Sequence, residues 1–491
     1  MFRTPSSARL RRLIFPLASA LTLALAATPL AVAEGLPDLG ESARADFSPQ
    51  LEHKIGESIM NEIRLREPTY IDDPEINDYL ARIGGQLVAA SPDPGGNFHF
   101  FAIRDNTVNA FAMFGGFIGV NTGTLLTAQS ESELAGVLAH EISHVTQNHL
   151  ARQIAAQKQN SIASMIAMAV GILAARSNSD LAGAAIASAQ AGSVQSQLAY
   201  SRDFEREADR VGYQTLEKAG LDVRGMGDFF ERLQKAGRVY ENNAPVYMRS
   251  HPMTVERISD MQNRAQGAPY KQVLNSLDFE LVRAKLRAQG GTPREAIKEF
   301  ETQLQEKKYA SEAAVRYGLA SAQLRAKDLA AAQHEVDALK ALKAASPMVD
   351  GLAATLRTAA GDNAGAQAIY RDGMQRYPQS RALVYGYADS LYAGRQYAQL
   401  LTFLEAQQQR YPSDFKLYGQ QAKTYAALGK RLQQHRAQAE FYALQGLLGP
   451  AVEQLQLAQK AGDGNFYEQS VVDARLRELR KQQMEEAKQK K

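Results

Sequence analysis

A period of 34 residues runs through the C-terminal half of the chain and restricts that half to stacked helix pairs. Tyr377-Pro378 and Tyr411-Pro412 are 34 apart and each follows an Arg, while Ala388 and Ala422 keep the same spacing, as do Asp328 and Asp362. Tyr317-Gly318 and Tyr385-Gly386 are 68 apart, twice the period. A helix pair of that length, with small residues in one helix and Pro near the end of the other, cannot bury its apolar face alone. Copies must stack, and the stack curls into a superhelix whose concave side takes peptides or partner proteins. His334 and His435 stand singly in this half and read as surface residues. Recognition, not chemistry, is what this half predicts.

The full 491 residues are too many for one core. From Glu34 to about Gln272 the pattern is mixed. Residues 52–64 and 73–90 read as amphipathic helices, with Asp73-Pro74 as a start signal. Residues 98–103 and 108–120 are rich in Phe, Val and Ile, contain Gly115-Gly116, and read as buried strands with tight turns. Residues 134–151 and 204–219 read as helices, the second ended by Gly220. The expected layout is an α+β domain over 34–272 and tetratricopeptide-type repeats over 273–474, with a charged, fraying, solvated tail at 475–491.

The first 33 residues read as a secretory leader. Arg3, Arg9, Arg11 and Arg12 precede an apolar run over 13–27, and Ala31-Val32-Ala33 supplies a small-x-small cleavage site before Glu34. With no Cys at all, the chain has no disulfide, thiolate zinc site or cysteine nucleophile, and a bacterial-looking leader then points to the periplasm. A net charge of +3 over this length argues against a nucleic-acid binder. The small-residue and apolar segments within 161–191 are too short to span a bilayer. They read either as two helices facing each other or as a hairpin that touches a membrane surface or shields a cleft.

Any metal must be held by His and carboxylates, and the chain has only eight His. Two of them occur in Val137-Leu138-Ala139-His140-Glu141-Ile142-Ser143-His144. On a helix, four residues advance about 400° and 6 Å, so both imidazoles leave one face and can share a cation. Glu141, about 100° round, can reach a water on that cation without ligating it. Chance would place this pattern in roughly one such chain in a hundred. A second helix carries Glu205 and Asp209 at i and i+4, with Glu207 pointing elsewhere. Glu205 is the expected third ligand, since catalytic zinc takes three protein ligands and keeps one position open. Asp209, one turn on, is placed to hold a ligand imidazole in one tautomer. His149, about 140° off the ligand face of a continuous helix, receives no metal role. His99 reads as packed among Phe98, Phe100 and Phe101, and His53 as surface.

His140-Glu141-Ile142-Ser143-His144, followed by Glu205-Arg206-Glu207-Ala208-Asp209, resembles the M48 family of zinc metallopeptidases. Asn109-Ala110-Phe111-Ala112, Gly115-Gly116 and Thr122-Gly123 resemble the strand segment before the zinc helix in that family. Met113-Phe114 departs from it, because relatives often carry Pro there. The likeness implies a zincin-like α+β fold, one zinc ion per chain, and periplasmic members that carry tetratricopeptide repeats. It implies a fourth residue too. His251, in Ser250-His251-Pro252, matches an element that in such members occupies the metal and displaces water. His251 would be a latch, or else would polarise the scissile carbonyl. The family's multiply spanning members are excluded.

The expected reaction is peptide-bond hydrolysis with Glu141 as general base. The strand at 109–112 would hold an extended substrate by edge pairing, suiting unfolded or stalled chains. Outer-membrane β-barrel precursors and their assembly machinery, docked through the repeats, are implied by the family likeness alone. The competing reading is a chaperone or assembly scaffold whose protease domain stays mostly closed. A structural-zinc or storage protein fits poorly, because a structural site needs no acid beside the first His.

Overall fold

The computed structural model describes Met1 and residues 48–157, 202–239, 247–248, 251–252, 254–269 and 271–489. The leader beyond Met1, the 161–191 segment and Ser250 lie outside the described residues.

The first helix, α1 (Pro49–Arg66), starts where the Ser48 hydroxyl accepts the Leu51 amide, with Pro49 in the first turn. In α2 (Pro74–Ala90) the Asp73 carboxylate does the same for Glu75 and Ile76. Four short strands follow one another through the chain: β1 (Tyr70–Ile71), β2 (His99–Ile103), β3 (Ala110–Ala112) and β4 (Phe117–Asn121). They form one sheet in the order β1-β2-β4-β3. The β2–β4 pair is parallel and the other pairs are antiparallel, so β3 lies at an edge. Between β3 and β4, Phe114–Gly116 form a 3-10 turn with φ of 70° at Gly115 and 80° at Gly116, values that glycine adopts without strain.

Helices α3 (Thr122–Thr127), α4 (Glu131–Thr146), α5 (His149–Gln157), α6 (Arg202–Lys218), α7 (Arg224–Val239) and α8 (Val255–Gln266) complete this half. Every residue of α4 from Glu131 to His144 is buried, because α2, β3, α6 and α7 all pack on it. The single helix expected over 134–151 is corrected to two. Asn148 takes φ of 52°, a left-handed value that Asn tolerates better than most residues, and the chain turns back before α5.

The second half is helical throughout. It runs α9 (Leu277–Gln289), α10 (Pro293–Glu306), α11 (Glu312–Arg325), α12 (Leu329–Ala341), α13 (Pro347–Ala359), α14 (Asn363–Arg376), α15 (Arg381–Ala393), α16 (Tyr397–Arg410), α17 (Phe415–Ala427), α18 (Arg431–Ala443), α19 (Leu448–Gln459) and α20 (Phe466–Gln489). Periodic residues do the same work in successive pairs. Asp328 and Asp362 cap α12 and α14, accepting from the Ala331 and Gly365 amides. Tyr377 and Tyr411 end α14 and α16. A Cβ on Gly318 would sit 2.3 Å from the Phe300 ring, and one on Gly386 would sit 2.4 Å from the Tyr370 ring. Each repeat thus seats an aromatic face on bare backbone. In α20, Val472, Leu476 and Leu479 are buried against the last pair, so the start of the stretch expected as a solvated tail is packed instead. No helix among the described residues is long and apolar enough to cross a membrane.

The two halves share one apolar core that runs from Ile71 to Leu356. Polar contacts reinforce it along α2. Lys285 Nζ lies 2.6 Å from both Asp73 Oδ2 and Glu75 Oε2, and the Tyr317 hydroxyl donates to Glu75 at 3.2 Å. Asp78 Oδ2 accepts from the amides of Arg381 at 2.8 Å and Ala382 at 3.3 Å, capping α15 from the other half.

Two outcomes follow from this packing. Gly386→Val forces the Tyr370 ring aside, and urea unfolding followed by circular dichroism should show a loss of about 1–3 kcal/mol; unchanged stability would contradict the close contact. Asp78 tests the junction. Burial raises its pKa from 3.8 to about 6, against the pull of the Ala382 and Arg381 amides and the Ser380 hydroxyl. A carboxyl raised in the folded state costs nothing below its unfolded pKa, and the cost grows as pH climbs through the folded value. Asp78→Asn should match wild type below about pH 4 and exceed its stability by about 3 kcal/mol above about pH 6. A variant weaker than wild type at pH 7.5 would show that the cap's charge outweighs its burial.

Candidate metal centre

The site forms where α4 meets α6. Gly212 sets the approach: a Cβ there would lie 3.2 Å from both Ala139 C and His140 N, so only glycine lets α6 come this close. That contact brings Glu205 and Asp209 of α6 to His140 and His144 of α4, and the segment before α8 adds His251. All five side chains are buried.

One ligand atom from each of His140, His144, Glu205 and His251 falls within a 4.8 Å cluster, so the four could hold a metal ion. His140 Nε2 is 3.0 Å from His144 Nε2, 3.3 Å from His251 Nδ1 and 3.5 Å from Glu205 Oε2. Glu205 Oε1 is 3.0 Å from His251 Nδ1 and 3.5 Å from His144 Nε2. Metal–ligand bonds of about 2.0–2.1 Å in a tetrahedron require ligand atoms about 3.3–3.4 Å apart. The measured separations bracket that edge.

Proton bookkeeping supports the same reading. Asp209 Oδ1 lies 3.0 Å from His140 Nδ1, and a carboxylate can only accept there, so the proton belongs on Nδ1. His149 arranges His144 likewise. Its Nε2 is 3.1 Å from Glu207 Oε2 and its Nδ1 is 2.8 Å from His144 Nδ1. Burial lowers the His149 pKa to about 4, against the pull of Glu207, so the ring is neutral and has one proton to give. That proton goes to Glu207, and His149 Nδ1 accepts from His144. Both ligand imidazoles therefore turn basic Nε2 atoms toward each other at hydrogen-bond distance with no proton between them. A cation satisfies that arrangement.

The carboxylates are held ionised. Burial alone would raise Glu205, but His251 and His140 bring it well below the ordinary range. Burial likewise opposes ionisation of Asp209, and Arg257 with His140 overcomes it. Arg257 is a buried fork: Nε and Nη2 each donate to Asp209 at 2.7 Å, and Nη1 lies 2.6 Å from Glu205 Oε2 and 3.0 Å from the Pro252 carbonyl oxygen. For His140, burial lowers the pKa while Asp209 and Glu205 carry it up to about 9. Glu141 differs. Burial pushes its carboxyl above the ordinary range despite His251 and His140, and its closest charged neighbour is His251 Nε2 at 3.5 Å.

Of the residues singled out from sequence, His140, Glu141, His144, Glu205, Asp209 and His251 converge here, and 109–112 form the β3 edge beside α4. Two supporting residues escaped that reading. His149 was placed by assuming an unbroken helix, and the turn at Asn148 brings it back onto His144. Arg257 sits in an amphipathic helix where Arg ordinarily faces water, so no local signal marks it. Glu207, expected to point elsewhere, binds His149 and, at 2.9 Å, Arg152. Outside the site, His99 stacks on Phe117 with ring centroids 4.8 Å apart. Asp209→Asn, which loses the acceptor-only partner of His140, should weaken metal affinity about 10–100-fold in a chelator competition; unchanged affinity would remove Asp209 from the support of the site.

Comparison with known proteins agrees with this geometry. Peptidase family M48 matches residues 74–265. A Vibrio cholerae relative is 42% identical over 279 residues, 56% of this chain and 57% of that protein. The beta-barrel assembly-enhancing protease of Yersinia pestis is 30% identical over 91% of this chain and 92% of its own length. The Escherichia coli K12 protein of that name is also 30% identical, over 96% and 97% respectively. The chain belongs to peptidase family M48, as a metalloendopeptidase whose α+β domain is fused to a long helical-repeat half.

Proposed function

We propose that this chain is a periplasmic zinc endopeptidase that cleaves unfolded or stalled polypeptides, with His140, His144 and Glu205 holding one zinc ion per chain. The near-tetrahedral spacing of the ligand atoms, beside a buried carboxylate, carries this reading. Two His and a carboxylate suit zinc well. When bound, zinc supplies Lewis acidity toward a water molecule and the scissile carbonyl. Glu141 takes the water's proton as it attacks and returns it to the leaving amine. Its raised pKa places it nearer the working range of a general base. Asp209, His149 and Arg257 keep the ligand atoms aimed.

β3 is the proposed substrate strand, with Asn109 through Ala112 pairing to an extended chain. The Asn109 side-chain amide is buried and has no hydrogen-bond partner among the described residues, as expected of a group that a substrate would satisfy. The same edge anchors His251. The Tyr247 amide donates to the Val108 carbonyl at 3.3 Å, and the His251 amide donates to the Tyr247 carbonyl at 2.8 Å. His251 then fills the fourth corner through Nδ1 and turns Nε2 toward Glu141. This favours the latch over the carbonyl-polarising role. A substrate strand entering along β3 would compete with the Tyr247 contact and release His251.

The proposed clients are outer-membrane β-barrel precursors, and the helical half would dock them or their assembly machinery. The closed fourth corner also favours a second reading, a scaffold that cleaves only on demand. Casein cleavage separates the roles. Glu141→Gln should lose more than 99% of turnover yet keep its metal, and His251→Ala should cleave several-fold faster than wild type. A folded, metal-loaded His251→Ala that cleaves slower would make His251 an electrophile instead of a latch. Full function of Glu141→Gln in cells would leave the scaffold reading alone.

A further inference from the structure

A cavity of about 290 Å³ opens among α9, α10 and the start of α11, in the helical half and apart from the metal centre. Arg283, Arg287 and Lys308 line it, facing a single carboxylate, Glu280. The two arginines are one turn apart on α9 and are poorly matched. Arg283 Nη1 is 3.6 Å from Glu280, and Arg287 Nη1 is 3.9 Å from Glu299, both beyond hydrogen-bond range. Elsewhere in the same repeats, Arg316 meets Glu312 and Glu335 at 2.8 Å. Glu280 is already shared, since its Oε1 accepts from Asn275 Nδ2 at 2.7 Å. The Arg283 Nε is buried and has no hydrogen-bond partner among the described residues, while its Nη2 reaches the Leu126 carbonyl at 3.3 Å. Desolvated guanidinium donors left this loosely paired cost free energy that a guest anion would return. Ser311, which caps the 14-residue α11, brings a helix N-terminus to the same wall.

We propose that this cavity binds the free C-terminal carboxylate of an extended polypeptide, seated on Arg283 and Arg287. Its volume lies just under the range of about 300–1,000 Å³ typical of small-molecule pockets, so it admits a chain end more readily than a nucleotide. Glu280 in the wall opposes a phosphate dianion more strongly than a carboxylate monoanion. Lys308 stands at the opening in an exposed 2.8 Å pair with Glu306, weak enough to exchange for a guest. The assignment deepens the reading that the helical half binds clients, and it gives that half a preference for chain ends.

The test is fluorescence anisotropy with the full chain and a dye-labelled Ala-Ala-Ala-Ala-Leu peptide bearing a free carboxylate. Its C-terminal amide and an amidated peptide with one internal Asp are the controls, and inorganic phosphate and acetate are the competitors. The proposal expects at least tenfold weaker binding on amidation and a similar loss in Arg287→Gln, with casein cleavage by that variant unchanged. Equal binding of the amide, or of the internal-Asp peptide, would overturn it without touching the peptidase reading. So would phosphate competing more strongly than acetate. Loss of casein cleavage in wild type with peptide binding intact would instead remove the peptidase reading and leave this site standing.

Discussion

Two imidazole nitrogens facing each other at 3.0 Å inside a dry interior, neither carrying the proton between them, are stable only around a cation. The first half of the molecule is arranged to impose that confrontation. Glycine at 212 lets α6 lie against α4, Asp209 and His149 assign the protons from behind, and Arg257 ties both α6 carboxylates to the segment that carries His251. Buried charge on this scale is costly, and a single unpaired member costs more than the whole network. The network therefore tolerates little drift, and the ligand atoms stay near the spacing a tetrahedral ion needs.

The two halves are coupled mechanically as well as by sequence. Helix α2 packs on α4 on one side and meets α9 and α15 of the repeats on the other. Its cap residue Asp73 and its neighbour Glu75 share Lys285, and its Asp78 caps α15. A load on the repeats is thus delivered to an element in contact with the helix that carries His140 and His144. That places client docking and the metal centre on one rigid frame.

What could be read from the chain beforehand follows from how far each signal reaches. The repeats were legible because 34-residue spacing constrains every pair alike: the same Asp caps, the same Tyr ends and the same bare backbone under an aromatic ring recur. His140, Glu141 and His144 were legible because helical geometry alone puts them together. Glu205, Asp209 and His251 needed the family likeness, since nothing local says that α6 or the segment before α8 will fold onto α4. His149 was misjudged because one residue, Asn148, turned left-handed and redirected the ring. Arg257 was invisible because a charged residue on an amphipathic helix has the same pattern whether it faces water or a buried carboxylate. The tail was misjudged for a related reason: Leu476 and Leu479 are sparse among charges, and their partners lie on other helices.

Zinc K-edge X-ray absorption on the purified chain addresses the central claim most directly. The account predicts one ion per chain in a four-coordinate shell near 2.0–2.1 Å, with the multiple scattering of three imidazoles, falling to two in His251→Ala while the ion count holds. A chain that binds no ion, or binds one in an all-oxygen, six-coordinate shell, would contradict it.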